Sequence, residues 1–120
     1  MGEVVRDARI VATLTTELWI AAHVRRCTVE GIGATVVRKG DPSGGAVLVK
    51  LYLAGQGCRV MTRMTGPDGE PGWMAALGGK LVPEPEADAY IARQIRYDTD
   101  LWVLEVDDPK GRHPFEGKML

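Results

Sequence analysis

The stretch that most limits how this chain folds is Ala46–Leu53, which reads A-V-L-V-K-L-Y-L. Its residues alternate between two faces. One face is wholly apolar and consists of Val47, Val49, Leu51 and Leu53. The other is mixed and consists of Ala46, Leu48, Lys50 and Tyr52. A period of two predicts a strand that places one face on a core and leaves the other partly covered.

The segment before this strand collects the residue types that make turns. Gly40–Gly45 reads G-D-P-S-G-G, in which proline presets φ and the glycines accept positive φ. Upstream, Ile32–Lys39 again favours a strand. Two strands joined by such a loop predict a β-hairpin.

Two segments have helical patterns. In Glu17–Glu30, an apolar stripe repeats at helical spacing, with Thr15 or Thr16 as N-cap and Gly31 as the closing residue. The stripe consists of Ile20, Val24 and Cys27 and is widened by Leu18 and Ala21. The second helix begins at Pro83–Pro85, where acidic residues suit its positive end, and runs to about Arg96.

Further alternating segments predict the remaining strands. Cys58–Met64 follows a turn at Ala54–Gly57, and a shorter strand around Trp73–Leu77 follows a turn at Gly66–Gly69. Leu101–Asp107 predicts a last strand after the second helix. The order of elements favours an α+β fold, with an antiparallel sheet of about five strands and two helices packed on one face. Four of the strands would form a meander, and the last would join them.

The length of 120 residues and an ordinary composition predict one domain, at residues 15–107. For the apolar arm at residues 1–14, an edge strand, a helical arm and an extension that docks on a partner all stay open. Residues 108–120 are rich in proline, glycine and charge, which predicts a mobile tail.

Charge and cysteine content narrow the class of protein. A net charge of −1 argues against a simple nucleic-acid or anionic-membrane binder. The apolar runs are too short to cross a bilayer, and the N-terminus lacks a secretory signal. Cys27 and Cys58 lack CxxC spacing, so we expect two buried thiols in a cytoplasmic protein.

Several segments of the chain resemble the DUF1491 family, a group of short alphaproteobacterial proteins. The segments are Glu17–Ile20 with Arg25–Arg26, Val37–Pro42 leading into Ala46–Val49, and Arg93–Ile95 leading into Asp98–Val106. The most specific of them is the closing D-x-D-L-W-V-x-E motif. The resemblance covers about Glu17–Asp107 and implies a bacterial cytoplasmic protein. It implies no activity, cofactor or catalytic residue.

No group of residues predicts catalysis, a metal site or a cofactor. Ser43 is the only serine, and neither His23 nor His113 is placed beside it by the sequence. The carboxylates near the last strand, above all Glu105 and Asp107, suit a hydrated cation but are more often solvated rim residues. The Gly40–Gly45 loop lacks the sequence of a phosphate-binding loop, so we interpret it as a turn.

Two sets of residues are candidate binding sites. The apolar set comprises Trp19, Met61 and Met74, which would form an exposed patch for a protein partner or a second copy. The basic set comprises Arg38, Lys39, Arg59 and Arg63, which would form a strip for anions or nucleic acid, with Tyr52 available to stack on a base.

The apolar set predicts a non-catalytic protein-interaction module, which could be a homodimer. The basic set predicts an anion- or nucleic-acid-binding domain. The interaction module is the favoured hypothesis, and an enzyme is the least favoured.

Overall fold

The computed structural model describes residues 15–65, 67–69, 71–113 and the backbone of 118–119. The predicted N-terminal arm and residues 66, 70, 114–117 and 120 lie outside the described residues. The limits predicted for the domain therefore stay a prediction.

The two predicted helices are present. Helix α1 spans Thr16–Val29, and its first turn is capped by Thr15, whose hydroxyl accepts a hydrogen bond from the Leu18 amide at 3.2 Å. Gly31 follows with φ of +74°, as expected of the residue that ends a helix. Helix α2 spans Glu84–Tyr97, with a proline and two glutamates in its first turn.

The strands form one six-stranded sheet in the order β1-β5-β2-β3-β4-β6. Their bounds are β1 Gly33–Arg38, β2 Val47–Leu53, β3 Gly57–Thr65, β4 Pro71–Ala75, β5 Trp102–Asp107 and β6 Lys118–Met119. Five of them correspond to predicted strands, and the two-residue β6 does not. Most neighbours are antiparallel, but β2 is parallel to β5 and β4 to β6.

The predicted hairpin of β1 and β2 is wrong, because β5 lies between these two strands. The loop at residues 39–46 instead encloses the start of β5. The Asp41 amide donates to the Asp100 carbonyl at 3.1 Å, and the Trp102 indole donates to the Asp41 carbonyl at 2.7 Å. A Cβ on Gly40 or Gly45 would lie 2.2 Å from the Asp100 oxygen, so the glycines permit close approach of two backbones.

The hairpins of β2 with β3 and of β3 with β4 are confirmed. In the first, Leu53 pairs with Gly57, and the Gln56 amide donates to the Leu53 carbonyl at 2.9 Å. In the second, Thr65 pairs with Pro71. Of the predicted four-strand meander, only β2, β3 and β4 are therefore paired in chain order. Leu77 lies beyond β4, in a 3-10 turn at Leu77–Gly79.

The prediction that both helices pack on one face of the sheet is wrong, because the sheet has a core on each face. Helix α1 contributes Ile20 and Cys27 to the first core, which includes the apolar face of β2. Helix α2 contributes Ala87 and Ile91 to the second core, on the opposite face. Most residues of β2 and β5 are buried whichever face they are on, so both faces of the sheet require a cover.

Residues 108–113 pack against the α1 face of the domain. Asp108 is buried and accepts hydrogen bonds from the Arg112 guanidinium at 2.8 and 3.1 Å. Gly111 approaches Leu53, since a Cβ there would lie 3.2 Å from a Leu53 methyl group. This segment therefore covers the first core at Leu53 and borders a small cavity on the same face.

Candidate functional site

The three residues predicted to form an apolar patch do not lie together on the surface. Met61 is 2% exposed in the core under α1, and Trp19 is half-buried against the same core. Met74 is exposed, but it pairs with Thr62 on the face that α2 covers. Their role in binding stays a prediction.

Trp19 belongs to a stacked group of side chains. The Arg63 guanidinium carbon lies 4.4 Å from the Trp19 ring centroid, and the His23 ring is stacked on Trp19 at 4.1 Å. The Trp73 ring is 6.2 Å away. Arg63 is thus a cation over an aromatic ring, a geometry that stabilises the contact between α1 and β3.

The four basic residues do not form one strip. Arg59 and Arg63 share the α1 face of β3, as the alternation predicts, whereas Arg38 and Lys39 lie at the far edge of the sheet. Three strand spacings separate β1 from β3, or roughly 14 Å. Arg38 donates to the Leu101 carbonyl at 2.7 Å, and Lys39 pairs with Glu17 at 3.0 Å.

Tyr52, the residue predicted to stack on a base, is half-buried against the second core.

An exposed apolar surface does occur on the outer side of α1. Leu18 is 57% exposed and Val29 is 79% exposed, and the small residues Ala21 and Ala22 lie between them on the same side. A helix on the surface of a globular domain usually presents polar residues to solvent. We call this set, together with Arg25, the outer face of α1.

An open groove of about 790 Å³ runs between the outer face of α1 and the edge of the sheet. Its floor includes Val36 of β1, which is 40% exposed, and its ends carry Glu17, Lys39 and Arg25. Strand β1 lies at the edge of the sheet, and within the described chain it pairs only with β5. A one-residue shift in register at Val37 marks a β-bulge, which discourages open-ended pairing at this edge.

The charges on this surface are arranged along the helix. Glu17 stands at one end of the outer face, and Arg25 lies two turns further on. Glu17 bonds to Lys39, whereas Arg25 forms no ion pair among residues 15–65, 67–69 and 71–113. Between Glu17 and Arg25 the outer face carries the apolar residues Leu18, Ala21 and Ala22, and Val29 lies one turn beyond Arg25.

The sequence does not predict this surface when Leu18 and Ala21 are assigned to the buried stripe. The signal was present, however. Apolar residues occur on both sides of α1, so a single buried stripe leaves Leu18, Ala22 and Val29 unexplained.

The nucleophilic and ligating side chains that the sequence offers lie in several different surroundings within the described part of the chain. The Ser43 hydroxyl lies 3.3 Å from Asp41 in an exposed loop, while His23 is stacked on Trp19. Glu105, one of the two candidate cation ligands, lies 3.4 Å from the Lys50 ammonium group. No three His, Cys, Asp or Glu side chains of the described residues are grouped to hold a metal ion.

Among the described residues, no helix combines the length and apolarity required to cross a membrane.

The comparisons with known proteins identify relatives but no activity. The family model described as "Protein of unknown function (DUF1491)" matches residues 14–116. No curated protein matches the chain.

Three solved structures resemble this one. The crystal structure of a DUF1491 family protein from Caulobacter crescentus CB15 is 38% identical, with a TM-score of 0.77, and the match covers 90% of this chain and 98% of that one. An NMR structure of a DUF1491 family protein from the same organism is 40% identical, with a TM-score of 0.76 and coverage of 90% and 97%. The solution structure of protein Atu0922 from A. tumefaciens is 27% identical, with a TM-score of 0.67 and coverage of 80% and 86%.

The resemblance noted in the sequence is thereby confirmed. Since the family model spans most of the chain and the relatives from Caulobacter match nearly their whole length, this protein belongs to the DUF1491 family, whose function is unknown.

Proposed function

We propose that this protein is a non-catalytic interaction module that pairs with a second copy of itself through the outer face of α1. The observation that carries the proposal is the exposed apolar side of α1 between Glu17 and Arg25, where Leu18 is 57% exposed and the small residues Ala21 and Ala22 are also exposed. Covering these side chains removes apolar surface from water at roughly 25 cal/mol per Å².

The arrangement of charge favours a second copy over an unrelated partner. In a two-fold antiparallel pair centred on Ala21, each Glu17 lies opposite the Arg25 of the other chain, since both are four residues from the centre. Such an isologous contact brings two opposite-charge pairs together from one surface. The small residues Ala21 and Ala22 let the helix axes approach closely at the centre.

The neighbouring part of the sheet extends this surface. Val36 lines the groove beside α1, and Val37 on the same strand is also exposed. Helix α1 has 14 residues, or about 21 Å of length, so a contact made by this helix alone is small compared with about 800 Å² per partner in a standard interface. We expect a reversible dimer with a micromolar dissociation constant.

The test is the molar mass of the full chain by sedimentation equilibrium from low-micromolar to near-millimolar concentration. The expected result is a concentration-dependent shift from 13.0 kDa to twice that mass. Arg25→Glu places two carboxylates opposite each other and is expected to keep the chain monomeric. The double variant Glu17→Arg/Arg25→Glu restores the opposite charges and is expected to restore the dimer.

Arg93→Glu is the matched control, because Arg93 is exposed on α2, on the other side of the sheet. It makes the same charge change and is expected to leave the mass of the dimer unchanged. A chain that stays at 13.0 kDa throughout, or a dimer that survives Arg25→Glu, would overturn the proposal.

A cytoplasmic location belongs to the same proposal. It is supported by the two free and buried thiols, Cys27 and Cys58, which are usual in a reducing compartment. A broad nucleic-acid surface has less support, because Arg38 and Lys39 already bond to neighbouring groups far from Arg59 and Arg63.

A further inference from the structure

A second, smaller cavity lies on the α1 face of the sheet. Its volume is about 250 Å³, and its apolar wall is formed by Leu51, Met61 and Ala75. Arg59 of β3 and His113 of the C-terminal segment provide its polar wall. This cavity shares no lining residue with the groove beside α1, so it is a separate site.

Arg59 lacks a counter-charge in the part of the chain that the structure describes. Its Nε atom is buried and has no hydrogen-bond partner, and the guanidinium forms no ion pair with a described carboxylate. The guanidinium group is a cation that offers five donors in a planar fork. A buried donor that bonds to nothing costs free energy, so this geometry favours an acceptor supplied from outside.

Three other arginines have defined contacts within the fold. Arg63, four residues along the same face, lies over the Trp19 ring, and Arg38 donates to two backbone carbonyls. Arg112 bonds to Asp108 across two hydrogen bonds. Each of these side chains has a defined contact within the fold, whereas the Nε of Arg59 lies at the wall of a cavity.

The cavity limits the size and the charge of a ligand. Its volume is below the range of roughly 300–1,000 Å³ that holds a drug-sized molecule. Burial lowers the pKa of His113, so at neutral pH its imidazole adds a hydrogen-bond donor or acceptor rather than a second charge. One fixed cation in a small and largely apolar cavity suits one small anion.

We propose that this cavity binds a small oxyanion, a carboxylate or a phosphate group, with the guanidinium of Arg59 as its principal ligand. The planar fork matches the two oxygens that such a group presents, and the apolar wall of Leu51, Met61 and Ala75 strengthens the contact by excluding water.

The experiment is an NMR titration of the full chain with sodium phosphate and, separately, with sodium acetate, each against sodium chloride at equal ionic strength. The expected result is a saturable shift of the Gly79, Gly111 and His113 amides, which line the cavity, with one or both oxyanions and not with chloride. The oxyanion that saturates at the lower concentration identifies the class of ligand. Equal and unsaturable shifts with all three salts would overturn the proposal.

Two variants assign the effect to Arg59. Arg59→Gln is expected to abolish the saturable shift, and Arg96→Gln, at an exposed arginine on α2, is expected to retain it. Arg59→Lys keeps the charge without the fork and is expected to bind more weakly than the wild type. Undiminished binding by either Arg59 variant would overturn the assignment. Neither variant touches the outer face of α1, so failure here is distinguishable from failure of the proposed dimer.

Discussion

The ammonium group of Lys50 lies 2.7 Å from a carboxylate oxygen of Glu84 and joins the middle of β2 to the first turn of α2. Asp88 of α2 is 2.8 Å away, and Glu105 of β5 is 3.4 Å away. The Lys50 side chain is only 6% exposed, whereas the three carboxylates are partly solvated. One buried cation therefore links a helix and two strands on the face opposite α1.

Removing this cation is expected to destabilise the fold. Lys50→Ala leaves three carboxylates close together and a cavity under α2, so we expect a loss of about 2 kcal/mol, less than for a fully buried ion pair because the acids are partly solvated. Lys50→Met keeps the apolar stem of the side chain and is expected to lose less stability than Lys50→Ala. Urea unfolding measures both, and equal stabilities for wild type and Lys50→Ala would contradict this interpretation.

The contribution of Lys50 is expected to weaken only at high pH. Burial lowers the pKa of Lys50, but the hydrogen bonds that its ammonium group donates to Asp88 and Glu84, together with the charge of Glu105, outweigh burial and raise the pKa. A raised pKa in the folded state stabilises the fold fully below the unfolded value of about 10.4, and the effect is lost as pH rises through the folded value. The stability difference between wild type and Lys50→Met should therefore be constant from pH 7 to about 10 and shrink above it.

Asp108 gives the opposite dependence, in acid. The hydrogen bonds from the Arg112 side chain and backbone lower the pKa of Asp108 to about 2. A lowered pKa stabilises the fold above the unfolded value of about 3.9, and the effect is lost as pH falls through the folded value. In thermal unfolding, the melting temperature of the wild type should be higher than that of Asp108→Asn at neutral pH. The two melting temperatures should converge as pH falls from about 4 to about 2. A gap of constant size down to the lowest pH would argue against this pair.

The glycines of the loop at residues 39–46 make a matched pair of variants. A Cβ at Gly45 would lie 2.2 Å from the Asp100 carbonyl, so Gly45→Ala must displace the start of β5 and is expected to lose roughly 1–3 kcal/mol of stability. A Cβ at Gly44 would meet no atom within 4 Å, so Gly44→Ala should change stability by about 0.5 kcal/mol or less. Denaturant unfolding compares them, and similar losses would refute the close approach.

The two cysteines are expected to be inert in the native protein. Burial raises the pKa of both thiols, with Glu30 adding to the effect at Cys27, and each thiol lies in a different core. Reaction with a thiol-specific disulfide reagent should occur only after denaturation. Ser43→Cys, in an exposed loop, provides a fast-reacting control. Rapid reaction of native wild type would show that one of the cores opens readily.

Local signals in the sequence predicted the elements that depend on neighbouring residues. Thr15 and Gly31 mark the ends of α1. The Thr15 hydroxyl caps an amide within the first turn, and Gly31 adopts the positive φ that follows the last turn. The hairpin of β2 and β3 follows from Gly55 and Gly57, which both have positive φ. In each case the partners are only a few residues apart.

The candidate sites were less predictable, because they depend on how α1 is rotated against the sheet. The periodicity of α1 allowed Leu18 to be a core residue, and the contact of Ile20 and Cys27 with β2 turned it outward. The alternation of β3 placed Arg59 and Arg63 on one face, but their surroundings differ. Arg63 contacts Trp19 of α1, whereas Arg59 faces a cavity bordered by the C-terminal segment.

The sequence alone determined the helices, five of the strands and the family, since capping, periodicity and turn residues act over short distances. Only the tertiary structure decided that β5 lies between β1 and β2 and that the helices cover opposite faces. The Gly40–Gly45 segment is compatible with a hairpin and with a loop around a third strand, and the choice depends on Asp100 and Trp102, about sixty residues away. Burial of both faces of β2 and β5 then required a helix on each side of the sheet.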